Sequence, residues 1–450
     1  MENNISLIIT MHNQKDLLDV CIKWLDEVKG INKVILIDNG SEDGTSDMLP
    51  SFGYDYIIFD EGKQGYGIVW NAAIDNFQLD DVIVFMDIRY VTGRNALLKL
   101  AETVQKGQNI GIAGPVSNGL RGCQYISVDS LDNMLEIETK NERLEKSCQY
   151  PVTVGIDAGI WAISSRWIKE NGKFNDRLIE AQNVLIDYEL NMIQKGYHAV
   201  VCSDAIVFDL YLGMGNNGVK EINNENDRII LKKNWNMNYF NRVPNSFLTE
   251  LINEDKDAEF SVLEVGCDLG ATLLDIQGKY PNSKPRGMEI NSSAVKIAKY
   301  LLDVREGNIE EENVPFQERF DYIVFGDVLE HLHNPQRTIN YCKQKLLKEH
   351  GRIIASIPNI MHISVMQQLI RGRFEYKDMG LLDRTHIHFF TFYEILMMFQ
   401  KEGFLMEEVE TTMVQLTEEQ ERLKIKLMEI SQNVEMHMYD TYQYVVKARI

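Results

Sequence analysis

The sequence predicts an α/β protein built as two consecutive domains. Three observations predict it. Its 450 residues suit two cores of about 200 residues each better than one. Apolar runs of strand length alternate with segments of helical spacing from end to end. Two of those runs empty into glycine turns: residues 34–38 into Asn39-Gly40-Ser41-Glu42-Asp43-Gly44, and residues 262–265 into Gly266-Cys267-Asp268-Leu269-Gly270.

Residues 6–10 form a short β-rich strand. Residues 16–29 carry Leu17, Leu18, Cys21, Trp24, Leu25 and Val28 at helical spacing, and 33–38 form the next strand. Strand, helix and strand in succession imply a parallel sheet with right-handed crossovers. Further strands are expected at 81–86, 155–164 and 198–208, with a helix at 185–195. Residues 121–150 are polar and less regular, as in a flap over a site. The stretch 211–258, rich in Asn, Lys and Asp and containing Pro244, reads as a junction, with the domains at 1–240 and 241–450. A second alternation follows. Its strands fall at 261–265, 285–290, 320–326, 351–357 and 441–448, and its helices at 292–302 and 335–348. Residues 417–431 form an amphipathic helix on Leu423, Ile425, Leu427 and Ile430, fit for a substrate lid or interdomain surface.

Composition bounds the function. A hydrophobic fraction of 44% and a charged fraction of 25% are those of a globular protein. A net charge of −21 argues against a broad grip on nucleic acid or anionic lipid. No apolar run reaches the length of a membrane span, and the first residues do not read as a secretory leader. Cys21, Cys123, Cys148, Cys202, Cys267 and Cys342 are scattered without a CxxC pair, which points to reduced thiols in the cytoplasm rather than a zinc site.

The second half carries the denser chemistry. Gly266 and Gly270 let the backbone turn tightly and approach a ligand. Glu289 closes the next strand, where a carboxylate accepts both hydroxyl hydrogens of a ribose. Gly307-Asn308 ends a third element, and residues 321–326 lead into Asp327-Val328-Leu329-Glu330-His331. These features, with GMEIN, GRIIASIPN and DRTHIHFFT, resemble the class I S-adenosylmethionine-dependent methyltransferases over about residues 245–450. The resemblance implies a Rossmann-like domain holding S-adenosylmethionine through Glu264, Gly266, Cys267, Gly270, Glu289, Asn308 and Asp327. Asp268 stands where the family usually has glycine, and Asn308 where aspartate is commoner. A dehydrogenase is the competing reading, but its G-x-G-x-x-G is replaced here by G-x-x-x-G. Glu330 or His331 is expected to act as the base, with His333, His362, His386 and His388 as further candidates. Asp327-x-x-Glu330-His331 also looks like the metal site of some O-methyltransferases, while capping the following helix is the plainer role.

The first half opens on Ser6-Leu7-Ile8-Ile9-Thr10-Met11-His12-Asn13 and continues through Asp38-Asn39-Gly40-Ser41, Gly65-Tyr66-Gly67 and Val84-Phe85-Met86-Asp87 to Asp187-Tyr188-Glu189-Leu190. This resembles the family 2 glycosyltransferases of GT-A fold, over about residues 4–210. The resemblance implies a nucleotide-sugar donor, with Thr10, Asn13, Asp38, Asn71, Asp87 and Arg89 at the substrate. It also implies Asp187 as general base and Mn2+ or Mg2+ on Asp87 and Asp209. Asp-Asn-Gly-Ser is also ordinary turn chemistry. The family's D-x-D motif reads Asp87-Ile88-Arg89, so a ligand is lost and a positive charge gained. Either Arg89 neutralises the diphosphate without a metal, or the donor site is gone.

The expected protein is therefore a bifunctional enzyme of bacterial glycan or glycoprotein decoration, moving a sugar from a UDP or dTDP donor and methylating a sugar hydroxyl or amine. A methyltransferase carrying a degenerate GT-A domain as a glycan-binding module is the first alternative. A scaffold role for both domains is the second.

Overall fold

A computed structural model describes residues 4–107, 109–120, 124–143, 152–213, 224–236, 241–431, 435 and 437–450. The chain divides into two compact units, Met1–Pro244 and Asn245–Ile450.

The first unit is built on one mixed sheet. Its strands are β1 (Ile5–Met11), β2 (Ile31–Asp38), β3 (Asp55–Ile58), β4 (Val82–Asp87), β5 (Tyr90–Thr92), β6 (Ile110–Ser117), β7 (Val152–Thr153), β8 (Ile160–Ser164) and β9 (His198–Asp209). They lie in the order β3-β2-β1-β4-β8-β6-β9-β5, with β7 on β9. β1, β2, β3 and β4 are mutually parallel, and β8 runs antiparallel to β4 and β6. Both faces are covered, so the central strands are buried, and mostly apolar, on both sides rather than alternately. Ile8, Ile35, Ile37, Ile83 and Phe85 face the helices Tyr66–Asn76 and Ala181–Gln194. Leu7, Ile9, Leu36, Val84 and Met86 face the helices Lys15–Leu25 and Ala96–Lys106. Trp70, Phe85, Trp161 and Phe174 form an aromatic knot with ring centroids 4.5 to 5.8 Å apart. Each such fully buried ring stabilises the core by about 1.5–3 kcal/mol. Register then sets the site: Thr10 pairs with Asp87 and Met11 with Asp38, so these residues share the carboxyl edge of the sheet.

The second unit is a seven-stranded sheet of β10 (Ser261–Val265), β11 (Lys284–Glu289), β12 (Asp303–Glu306), β13 (Phe320–Gly326), β14 (Leu347–Pro358), β15 (Leu405–Met413) and β16 (Thr441–Arg449). The order is β12-β11-β10-β13-β14-β16-β15. The pairs from β12 to β14 are parallel, and β16 is antiparallel to both neighbours. The chain winds outward from β10 in one direction and from β13 in the other, which opens a crevice at their carboxyl ends.

Several expectations need correction. Residues 131–143 are a helix, not an irregular flap. Met134 is buried in the core, and buried Glu138 accepts the Arg94 and Asn95 amides at 2.9 and 2.8 Å, so the segment is fastened down. Residues 121–123 and 144–150, with Cys123 and Cys148, lie outside the described residues. The junction contains the helices Glu225–Trp235 and Ser246–Glu250. The helix from Pro335 ends at Tyr341 in a π-turn over Cys342–Leu346. In the helix Glu418–Ile430, Leu427 is buried but Ile425 and Ile430 are exposed, and Lys424 turns inward to Asp440 and Glu421. The expected stripe is therefore half solvated.

Candidate active sites

In the first unit the loop after β2 is folded onto its own acids. Asp38 is fully buried. It accepts the Ser41 amide at 3.2 Å and the hydroxyls of Ser41 and Ser46. Asn13, in the left-handed region at φ 54°, donates its amide to Ser41 and accepts from the Glu42 amide at 2.8 Å. Asn39 exchanges two hydrogen bonds with the backbone of Gln64. Thr10 is buried under the Met86 carbonyl. Asn71 exchanges two bonds with the backbone of Phe174 and so ties the 172–177 loop to its helix. Thr10, Asp38 and Asp87 are thus brought together, but Asp38, Asn13 and Asn71 are engaged in holding loops.

Asp87 and Arg89 remain at the mouth. Asp87 accepts the Arg89 amide at 3.0 Å and Gln14 Nε2 at 3.4 Å. The Arg89 guanidinium bends back into the protein, donating to the Tyr90 hydroxyl at 2.8 Å with Nε 3.5 Å from Asp209 Oδ2. Burial opposes its charge, but Tyr90, Asp87, Asp209 and Asp157 together hold the proton more firmly than in free arginine. Burial raises the Asp209 carboxyl, and Arg89 and the amides of Leu212 and Tyr211 lower it. Asp187 is elsewhere in its helix and is buried. Its Oδ1 accepts Trp235 Nε1 at 2.8 Å and Asn234 Nδ2 at 3.2 Å, and its Oδ2 accepts Asn175 Nδ2 at 3.3 Å.

In the second unit Glu264 is buried in β10, and its Oε2 has no hydrogen-bond partner among the described residues. Burial pushes its carboxyl up to about 8; the Thr272 hydroxyl lowers it, and Glu289 and Asp268 raise it further. Gly266 and Gly270 both adopt left-handed φ, at 73° and 84°, where an added Cβ would lie 2.8 Å from Val328 and Leu302. Glu289 accepts the Asp268 amide at 2.9 Å and the Asn291 amide at 2.8 Å, one on each oxygen. Cys267 departs from expectation: its buried thiol sits against Gly287 and its amide is given to Met288 O, so it shapes the turn. Asn308 Oδ1 accepts the Glu310 amide. Asp327, at φ 54°, accepts Ser356 Oγ and Gln443 Nε2; burial raises its carboxyl to about 6.

Beside Asp327, Leu329–His331 form one tight turn. The Glu330 carbonyl accepts the amides of Ile387 and His388, pinning the DRTHIHFF loop against it. Glu330, His331 and His386 meet there. His333 and His362 do not: His333 is exposed on Glu310, and His362 caps the helix Ile363–Ile370, where burial lowers it to about 4. His388 reaches the His333 carbonyl.

Comparison with known families now places both units. The glycosyl transferase family 2 model matches residues 6–172, and a methyltransferase domain model matches residues 237–409. The chain joins a family 2 glycosyltransferase domain to a class I methyltransferase domain. A curated relative, the uncharacterized glycosyltransferase YfnE of Bacillus subtilis (strain 168), is 32% identical over 114 residues, covering 24% of this chain and 29% of the relative's own length. Among solved structures, a putative methyltransferase from Bacillus halodurans C-125 is 16% identical, with a TM-score of 0.31, over 45% of this chain and 97% of that one. The mannosyltransferase PcManGT from Pyrobaculum calidifontis, in complex with GDP-Man and Mn2+, is 13% identical, with a TM-score of 0.34, over 46% and 56%.

The methyltransferase domain fits its implied cofactor. The partnerless Glu264 oxygen suits an ammonium group, and the Gly266–Gly270 cradle is one that side chains would fill. The glycosyltransferase domain does not fit a divalent ion at Asp87 and Asp209. Asp209 Oδ1 accepts two backbone amides, at 2.9 and 3.3 Å, and its Oδ2 faces a permanently charged guanidinium. A second cation there would be repelled by Arg89. Sequence reasoning also missed Asp157 and Glu180, and gave Tyr66 only as part of the Gly65-Tyr66-Gly67 motif, without a role. Glu180 stands at the N-cap position of the helix that carries Asp187 without making a side-chain cap hydrogen bond, and Tyr66 feels Asp87, Arg89 and Glu180 together. Burial raises the Glu180 carboxyl, Lys63 lowers it and Asp227 raises it. No helix among the described residues is long and apolar enough to cross a membrane.

Proposed function

We propose a bifunctional enzyme of bacterial glycan or glycoprotein decoration. The first domain transfers a sugar from a UDP or dTDP donor, and the second methylates a sugar hydroxyl or amine with S-adenosylmethionine. The observation that carries the reading is that each domain, in one chain, sets charged groups at the carboxyl edge of its sheet: Asp87 and Arg89 in one, Glu264 and Glu289 in the other.

In the first domain Arg89 supplies the positive charge that a leaving diphosphate needs, held by Asp87, Asp157 and Asp209. Asp187 is occupied as a structural acceptor, so Glu180 is the carboxylate we assign to deprotonating the acceptor. In the second domain Glu264 pairs with the cofactor's ammonium and Glu289 with its ribose, while Glu330, His331 and His386 stand where the acceptor's proton leaves. S-adenosylmethionine supplies the electrophilic methyl group. Tethering raises the concentration of the transferred sugar at the second site; separately expressed halves are expected to give less methylated product than the intact chain.

The engagement of Asp187 also favours a second reading, in which the first domain binds glycans without catalysis. Thermal unfolding of the full chain with UDP, dTDP or S-adenosylhomocysteine, with and without EDTA, separates them. Shifts with a nucleotide that survive EDTA, together with a shift from S-adenosylhomocysteine, support the bifunctional enzyme. A shift with S-adenosylhomocysteine alone supports the binding module, and no shift with either overturns both.

A further inference from the structure

We propose that Glu330, His331 and His386 of the methyltransferase domain form a binding site for one first-row divalent metal ion. The three residues come from two separate segments, and one ligand atom from each lies within 4.8 Å of the others. They are the one such group of three among the described residues.

Three observations point to a ligand. Glu330 is fully buried, and neither carboxylate oxygen has a hydrogen-bond partner among the described residues. His386 Nε2 is 3.9 Å from Glu330 Oε1, too far for a hydrogen bond. Burial without a partner disfavours the charged form of this carboxylate, and a bound cation compensates that charge. Second, His331 Nδ1 lies 3.2 Å from the Thr385 carbonyl and His386 Nδ1 3.3 Å from the Leu381 carbonyl. Carbonyls only accept, so each Nδ1 carries a proton; in the neutral ring Nε2 then keeps its lone pair, the arrangement seen behind metal-bound histidines. Third, the rings of His331 and His386 are 4.8 Å apart, and the loop bearing His386 is clamped to the Glu330 carbonyl by two amides. Ligand atoms about 2.0–2.2 Å from a tetrahedral ion sit about 3.4 Å apart, so closing the site takes side-chain movements of about 1 Å.

Asp327, which the sequence spacing had offered as a ligand, is turned to Ser356 and Gln443 instead. Two imidazoles and one carboxylate suit zinc, cobalt or iron rather than magnesium or calcium, and three protein ligands leave a position open. Taken with the methyl-transfer reading above, that position would receive the acceptor's hydroxyl and make it more acidic.

The test uses the full chain stripped with EDTA and titrated with Co2+, whose visible spectrum reports nitrogen and oxygen ligation, with Zn2+ competing. We expect one Co2+ equivalent to be displaced by Zn2+, and affinity to fall at least about 100-fold in both E330Q and H386A. S-adenosylhomocysteine binding by the same variants shows that the domain has folded. Absence of Co2+ binding in the wild type, or equal binding in wild type and variants that retain S-adenosylhomocysteine, overturns the site. Loss of S-adenosylhomocysteine binding by the wild type would overturn the methyl-transfer reading and leave the metal result standing.

Discussion

Glu264→Gln separates what this carboxylate costs from what it does. Burial in β10 pushes its carboxyl from 4.5 to about 8. The unfolded chain returns the group to its ordinary value. Between those two pH values the folded protein keeps a proton that the unfolded chain has released, so its stability falls as pH rises and levels off above about 8. At about 1.4 kcal/mol per pH unit the whole span costs up to ~5 kcal/mol. Glutamine has the shape of the protonated acid and does not titrate. E264Q is therefore expected to match the wild type within about 1 kcal/mol at pH 5 and to exceed it by ~3–5 kcal/mol at pH 9. Glu189 in the first domain, also pushed to about 8 by burial, titrates in both proteins and cancels in the difference. The assay is urea unfolding from pH 5 to 9, and the relevant transition is the one that S-adenosylhomocysteine shifts. The same variant should bind S-adenosylhomocysteine at least about tenfold more weakly, because a neutral amide does not compensate an ammonium. A stability difference that stays flat with pH, or a variant less stable at pH 9, would refute the reasoning.

Other outcomes follow from the same geometry. Arg89→Ala leaves Asp87, Asp157 and Asp209 without their shared counter-charge and should destabilise the first domain by about 3–5 kcal/mol in denaturant unfolding. Arg89→Lys, which keeps the charge but loses the planar fork, should weaken UDP binding about tenfold in calorimetry, whether or not EDTA is present. A wild type that binds UDP only with Mn2+ would contradict the role given to Arg89. Asp187→Asn loses charge-assisted acceptance from Trp235, Asn234 and Asn175 and should cost about 2–4 kcal/mol while UDP binding persists; unchanged stability with abolished sugar transfer would restore Asp187 as the base. Gly40→Ala would set a Cβ 2.4 Å from the Gly62 carbonyl carbon at φ 73°. We expect about 3 kcal/mol of destabilisation, read as a lowered midpoint of the first-domain transition.

What was legible in the sequence, and what was not, divides along physical lines. β1, β2, β4, β10 and β13 announce themselves because both faces of the sheet are covered, which demands runs that are mostly apolar on both sides. β15 was missed because it is an edge strand with Glu407 and Glu408 at adjacent half-buried positions and Glu410 exposed, so no period of two survives. β3 is an edge strand too, with Asp55 and Tyr56 exposed. β6 hides for a different reason: Gly111, Gly114 and Pro115 interrupt it, and its register with β9 shifts between Gly114 and Val116, the bulge that lets a proline sit inside a sheet.

The sites divide in the same way. Strand-end residues such as Asp87, Glu264 and Glu289 were readable because parallel register fixes them at one edge. The direction of each side chain was not. Asp38 and Asn13 carry residue types that serve turns and ligands equally well, and the folded loop spends them on turns. Asp187 has the chemistry of a base, yet a helix from outside the matched glycosyltransferase stretch brings Trp235 and Asn234 onto it. His386 is the converse. Nothing in DRTHIHFF ties it to Glu330, because their meeting depends on two amides of that loop reaching the Glu330 carbonyl. Residue type sets what a side chain is able to do; its hydrogen-bond partners decide whether it remains available, and those partners come largely from distant segments.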